Sequence, residues 1–143
     1  NMTDIAAAMG IHQLRKLPGF LDRRQYLAQR YFEALSDLPL ILPADDTDGG
    51  SHSWHLFVIR LQDDARMNRD ELIQFLSDKG IGTSVHYVPL HRQPYWHDRY
   101  QLTNDMFPET DKAYLSMASI PLYTAMSDEQ QNRVIQALHE ALA

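Results

Sequence analysis

Cysteine is absent from this sequence of 143 residues. Disulfide bonds, thiolate metal ligands and cysteine nucleophiles are therefore excluded. Long hydrophobic runs are absent too, because no apolar stretch approaches the roughly 20 residues that a membrane-spanning helix needs. The sequence also lacks a basic segment followed by an apolar one, which would mark a secretory leader. We therefore expect a cytoplasmic protein that does not bind a membrane.

Positive charge is in deficit. The chain has 13 Lys and Arg residues against 19 Asp and Glu residues, which gives a formal net charge of -6. Tight binding of nucleic acid needs a clustered basic surface. The arginines here are spread along the chain, so we predict no nucleic-acid partner. Hydrophobic residues make up 44% of the sequence, which is typical of a folded domain with its own core.

Several catalytic and metal-binding motifs are missing as well. There is no G-x-S-x-G turn for a serine nucleophile, and the pair Gly80 and Gly82 lacks the third glycine of a phosphate loop. His52 and His55 fall on a predicted strand, where they would point to opposite faces. The acidic loop at residues 45–50 lacks the ligand spacing of a calcium loop, so we interpret it as a solvated turn. We predict no metal site.

Helical patterns account for much of the chain. Thr3 or Asp4 can cap a first helix, and the Pro18-Gly19 pair is expected to interrupt it. A second helix is predicted over residues 20–35. Two further helices begin with capping boxes, in which two side chains three positions apart satisfy the first backbone N–H groups. These boxes are Asn68 with Glu71 and Ser127 with Gln130.

Strand patterns are fewer. Residues 53–61 are apolar in both alternating sets, which predicts a strand at the centre of a sheet. Residues 83–87 alternate with β-branched and aromatic side chains, which predicts a second strand that Pro89 stops. Residues 118–122 contain a proline and are predicted to form an edge strand. Two or three strands with helices packed on one face indicate a small α+β domain.

Residues 80–95, GIGTSVHYVPLHRQPY, are where we expect the chemistry to concentrate. A strand that ends in a proline-locked loop can hold polar side chains over a cleft. This loop carries His86, Tyr87 and His91. The two imidazoles lack a third His or a carboxylate at a spacing that supports metal binding. They either donate hydrogen bonds to a polar or anionic ligand or satisfy the loop itself, and the residues alone leave both interpretations open.

Three stretches in order resemble motifs of the DegT/DnrJ/EryC1/StrS aminotransferases, pyridoxal-phosphate enzymes that aminate keto groups on nucleotide-linked sugars. Residues 1–14 are similar to the family's Y-N-x-x-M-T-D-I-x-A-A-x-G-x-x-Q-L segment. Residues 80–95 are similar to its G-I-x-T-x-x-H-Y-x-P-L-H-x-x-P-Y segment. Phe107 and Pro108, followed by residues 119–123, resemble its F-P…S-L-P-L-Y segment. Together these motifs span essentially the whole chain.

The resemblance implies the small C-terminal domain of a type I, aspartate aminotransferase-like enzyme, with a two- or three-stranded antiparallel sheet and helices on one face. Residues 1–17 would form a helix at the interdomain and dimer interface of a homodimer, and residues 18–143 would form the small α+β domain. The substrate would be a nucleotide-linked sugar. The residues that would line the substrate side of the cleft are Asn1, His86, Tyr87 and His91.

The cofactor implied by the resemblance is pyridoxal 5'-phosphate. In the family, a larger N-terminal domain carries the lysine that bonds the cofactor's aldehyde and the aspartate that faces its pyridine nitrogen. This chain has only Lys16, Lys79 and Lys112, and none of them matches the family's lysine motif. We therefore expect no catalytic residue in this chain, leave the cofactor-binding residues unassigned, and expect the chain alone not to transaminate.

Two other functions stay open. A member of the same family can act as a sugar dehydratase with the same cofactor, and there a histidine can replace the lysine. The chain could also be a binding or interaction module without catalysis. The residues upstream of Asn1 would discriminate between these functions.

Overall fold

A computed structural model describes residues 2–44 and 49–143. This part of the chain forms five α-helices and three strands, with short 3-10 turns at Leu90–Arg92 and Asn104–Met106. In chain order they are α1 Asp4–Ala34, β1 Leu40–Ile41, β2 Phe57–Leu61, α2 Arg69–Asp78, α3 Pro94–Tyr100, α4 Pro108–Ser116, β3 Met117–Ile120 and α5 Asp128–Leu142. No helix in the described part of the chain is both long enough and apolar enough to cross a membrane.

The strands form one antiparallel sheet in the order β1, β2, β3. Leu40 of β1 pairs with Leu61, and Phe57 of β2 pairs with Ile120 of β3. β2 is therefore the central strand, as its apolar sequence predicts. It begins at Phe57, later than predicted, because the backbone at Trp54 turns away with a φ of 47°. β3 lies at the edge of the sheet, as predicted, but it starts and ends one or two residues earlier than expected.

The hydrophobic core lies on one face of this sheet. Phe57, Ile59 and Leu61 alternate along β2, and all three are buried. The three longest helices cover this face. Their core residues are Leu27, Tyr31, Leu72, Leu76, Val134 and Leu138. The structure therefore confirms a small α+β domain with helices packed on one face of an antiparallel sheet.

The second face of the sheet carries the other half of the alternating side chains. Val58 pairs with Ser119, and Arg60 pairs with Met117, and residues directly opposite each other point to the same face. Val58 and Arg60 are half-buried. Helix α4 contacts β2, and the segment between α2 and the turn at Leu90–Arg92 approaches Ser119. This second face is where the predicted chemistry lies.

The prediction that Pro18-Gly19 interrupts the first helix is wrong. Helix α1 is 31 residues long, from Asp4 to Ala34, and continues through Pro18. Proline removes one backbone donor, which would have bonded the carbonyl of Leu14. Both residues lie in an exposed stretch, so water can satisfy that carbonyl. Only the second half of the helix, at Leu27, Ala28 and Tyr31, is buried.

The prediction of a strand at residues 83–87 is also wrong. This segment meets the free edge of β3 at one residue pair only, where Ser84 and Ser119 exchange backbone hydrogen bonds of 3.2 and 2.7 Å. Beyond that pair, the side chain of His86 forms a hydrogen bond with the hydroxyl group of Ser119 instead of extending the sheet. Pro89 has no backbone N–H with which to continue a strand pairing.

The helix starts that depend on local capping are confirmed. The side chain of Thr3 accepts a hydrogen bond from the N–H of Ala6, and both predicted capping boxes are complete. The residues of each cap lie within three positions of one another, so these signals can be read from the local sequence. Gly80 ends the turn after α2 with a φ of 71°, a conformation that glycine adopts without strain.

Candidate functional site

His86 is anchored to the second face of the sheet. Its Nδ1 lies 2.9 Å from the hydroxyl oxygen of Ser119, the residue of β3 that also pairs with Ser84. The imidazole is half-buried. Among the described residues its other ring nitrogen, Nε2, has no hydrogen-bond partner. One nitrogen therefore fixes the ring, while the other is available to a ligand.

A cavity of about 450 Å³ opens beside this imidazole. One wall consists of the loop, and the other consists of α4 and the start of β3. The lining residues are His86, Tyr87, Pro89, Glu109, Thr110, Ala113, Tyr114 and Met117. The lining is mostly apolar, with hydrogen-bonding groups at a few points, as in sites that bind small molecules.

Tyr87 stands at the mouth of the cavity. It is 76% exposed, and its ring meets that of His86 edge-on with centroids 5.0 Å apart. The phenol can both donate and accept a hydrogen bond. Predicted site residues His86 and Tyr87 are thus brought together on one cavity.

His91 occupies a different position. Only 4% of it is exposed, and its ring stacks on Phe107 with centroids 5.0 Å apart. Its Nε2 lies 3.1 Å from Oδ1 of Asp111. The structure therefore places His91 beneath the loop, turned toward α4 rather than toward open solvent.

Asp111 bonds two residues of the turn at Leu90–Arg92. Arg92 donates from Nε to Oδ1 at 2.5 Å and from Nη2 to Oδ2 at 2.7 Å, which is the bidentate geometry of a strong ion pair. These hydrogen bonds from Arg92, supported by that from His91, lower the pKa of Asp111 to about 2. Asp111 is therefore a carboxylate at neutral pH.

Tyr114 lies between two guanidinium groups. Those of Arg69 and Arg92 stand 5.1 and 5.2 Å from its ring centroid, within the range of cation–π contacts. Arg69 is buried and also donates to the backbone oxygen of Tyr114. Sequence analysis missed these residues. The phenylalanine–proline pair before α4 marked the region, but Arg92 and Asp111 lie 19 residues apart and share no local pattern.

The lysines of this chain lie apart from the cavity beside His86. No lysine lines the cavity. Lys79 pairs with Glu140 at 2.6 Å, and Lys112 lies 3.6 Å from Asp63, both away from the cavity lining. Lys16 is exposed on α1. The residues present here therefore do not fit the anchoring of this cofactor's aldehyde.

Two predictions fall on residues that the structure does not describe. Asn1 and most of the acidic loop at 45–50 lie outside the described residues. Within residues 2–44 and 49–143, no three His, Asp or Glu side chains are grouped closely enough to hold a metal ion.

Comparison with known proteins gives this site a context. A sequence profile described as the DegT/DnrJ/EryC1/StrS aminotransferase family matches residues 1–139. The chain belongs to this family. The predicted resemblance is therefore confirmed.

A curated relative is the spore coat polysaccharide biosynthesis protein SpsC of Bacillus subtilis (strain 168). It is 37% identical over 142 residues, which cover 98% of this chain and 36% of the relative. The chain thus spans about a third of the length of a family member.

Solved structures of sugar aminotransferases share the fold. The putative sugar aminotransferase Spr1654 from Streptococcus pneumoniae, in its PLP form, gives a TM-score of 0.87 at 28% identity, covering 100% of this chain and 37% of that one. DesV from S. venezuelae, in complex with a ketimine intermediate, gives 0.79 at 30% identity, covering 94% and 35%. The domain is therefore a recurring part of larger proteins of the family.

Proposed function

We propose that this chain is the C-terminal part of a pyridoxal-phosphate aminotransferase that aminates a keto group on a nucleotide-linked sugar, with glutamate as amino donor. Family membership and the resemblance to Spr1654 and DesV support the reaction class. The name of SpsC supports a role in polysaccharide or amino-sugar biosynthesis. The chain by itself is proposed to be inactive, because the lysine and the rest of the site would come from an N-terminal domain.

The observation that carries this proposal is the cavity beside His86. A sugar presents hydroxyl groups that both donate and accept, and the ring nitrogen of His86 and the phenol of Tyr87 offer matching partners. Ser119 holds His86 from behind at 2.9 Å, so the ring need not be ordered by the ligand. A preordered ring costs less conformational entropy on binding than a mobile one.

The substrate-facing residues are proposed in two groups. His86 and Tyr87 would contact the sugar directly from this chain. Asn1, at the position that faces the substrate's phosphates in the family, would contribute from the start of the chain. His91 is proposed to belong to the same site, but it is buried and would act on the cavity through Asp111.

Helix α1 supports the proposal of a homodimer and of a further domain. Its first half carries apolar side chains that this chain leaves exposed, among them Ile5 at 77%. The others on the helix are Met9, Ile11, Leu14 and Leu17, and Met2 just before it is exposed too. A patch of this kind on a helix without a partner marks an interaction surface. Residues 1–17 would be covered by the N-terminal domain and the second subunit.

The test uses the full-length protein, glutamate labelled with 15N, and a panel of nucleotide-linked keto sugars. Mass spectrometry should detect the label in the sugar product. Loss of water from the sugar without gain of label would favour a dehydratase instead, and binding of the sugar without any reaction would favour a binding module.

Variants test whether the keto sugar binds at this cavity. His86→Ala should raise KM for the keto sugar by about tenfold or more, because it removes a hydrogen bond to a buried ligand group. Tyr87→Phe should have a smaller effect in the same direction. His97→Ala, on the exposed face of α3, is the matched control and should leave KM unchanged. Equal KM values in all four proteins would contradict the proposed site.

A further inference from the structure

We propose that Asp111 is a positioning residue, whose carboxylate ties the turn at Leu90–Arg92 to helix α4 and thereby sets the width of the cavity that His86 and Tyr87 line. This inference rests on the proposed function for its kinetic consequence. Its structural part stands on the contacts of Asp111 alone.

Asp111 connects the two elements that form the walls of the cavity. It lies on α4, within one turn of Glu109, Thr110 and Ala113, and these three residues line the cavity. Its partners His91 and Arg92 belong to the turn that directly follows Pro89, which lines the opposite wall. One side chain therefore bridges the two walls without itself lining the cavity.

The bridge is held by several hydrogen bonds. Arg92 donates to both carboxylate oxygens of Asp111, and His91 contacts Oδ1, one of the two oxygens that Arg92 also contacts. The Asp111 side chain is only 15% exposed, so water competes weakly for these hydrogen bonds. The ring of His91 also stacks on Phe107, the residue that precedes α4.

Further contacts support the bridge. The guanidinium of Arg92 also lies 5.2 Å from the ring centroid of Tyr114, a cavity residue. Arg69, in the first turn of α2, places a second guanidinium 5.1 Å from the same centroid. Tyr114 is therefore in contact with the network. Loss of the Asp111 carboxylate would release Arg92, and with it both the turn and one contact of Tyr114.

The test compares Asp111→Asn with Asp98→Asn in the full-length protein. Asp98 forms a similar pair with a histidine, His97, at 2.8 Å, but on the exposed surface of α3. Asp111→Asn should raise KM for the keto sugar by about tenfold to a hundredfold, as expected for a displaced binding group. The donor half-reaction with glutamate alone, followed by cofactor absorbance, should keep its rate. Asp98→Asn should change neither value.

A second measurement is independent of activity. In Asp111→Asn, the backbone amides of Arg92 and Gln93, which bond to Pro89 and Leu90, should exchange hydrogen faster, while those of α5 should not. Arg92→Gln breaks the same bridge from the other side and should reproduce both results, which covers the case that Asp111→Asn does not fold.

The kinetic and hydrogen-exchange results together test the inference. An unchanged KM and unchanged exchange in Asp111→Asn would overturn the inference, and so would a parallel fall of both half-reactions with general exchange throughout the chain. If exchange rises locally but the native protein transfers no amine, the bridge is supported and the proposed function fails.

Discussion

At the scale of single residues, Asp111 is the carboxyl group whose protonation the fold alters most clearly among residues 2–44 and 49–143. Arg92, and to a lesser extent His91, lower its pKa to about 2 from an ordinary value of 3.8. A group whose pKa is lower in the folded state stabilises that state above its unfolded pKa and loses this effect as pH falls. The bridge should therefore be fully formed at neutral pH.

This shift predicts a specific pH dependence of stability. The difference in unfolding free energy between the native chain and Asp111→Asn should be constant from about pH 7 to pH 5, and should shrink as pH falls from about 4 toward 2. Urea denaturation at several pH values measures it. For Asp98→Asn, on an exposed carboxyl, the difference should stay near zero throughout. A difference for Asp111→Asn that is independent of pH would contradict the assignment of the ion pair.

Residues that act on near neighbours could be predicted from the sequence, and residues that act at a distance could not. Local patterns predict the capping boxes at Asn68 and Ser127, and both are present. Local patterns also single out His86 and Tyr87, which line one cavity. The partnership of Asp111 with Arg92 could not be predicted in this way, because it depends on where α4 lies relative to the loop. No periodicity in the sequence encodes that distance.

At the scale of elements, α1 and the loop at 83–89 show where local rules fail. Proline was expected to end a helix, but its cost is small where the released carbonyl of Leu14 can bond to water. The loop was expected to be a strand because of its β-branched residues. Strand propensity depends on available neighbours, and the edge of β3 offers this segment only one pairing, at Ser84 and Ser119.

Two glycines provide a matched test of these elements. At Gly19, inside α1, an added Cβ would meet nothing within 4 Å, so Gly19→Ala should stabilise the chain by about 0.5–1 kcal/mol. At Gly80 the φ is 71°, so Gly80→Ala should destabilise it by about 1–2 kcal/mol. Thermal and urea denaturation measure both. If Gly19→Ala is the more destabilising variant, residues near Pro18 are not helical.

At the scale of the whole molecule, the sheet separates two tasks. One face, with Phe57 and Ile59, builds the core with α1, α2 and α5, while the other carries His86 and borders α4. The resemblance to the family predicts this α+β domain, because its three motifs occur in order along essentially the whole chain. They did not predict which residues of the loop reach the cavity, because burial of His91 follows from packing against Phe107.

The central claim is that this chain contributes a substrate-facing wall but not the cofactor's amine. The most direct test adds pyridoxal phosphate separately to the 143-residue chain and to the full-length protein, removes unbound cofactor, and records the visible absorbance of a lysine Schiff base. Full-length protein should retain this absorbance and transfer amine to a keto sugar, whereas the chain alone should do neither. Stable Schiff-base absorbance on Lys16, Lys79 or Lys112 of the isolated chain, together with turnover, would contradict the account.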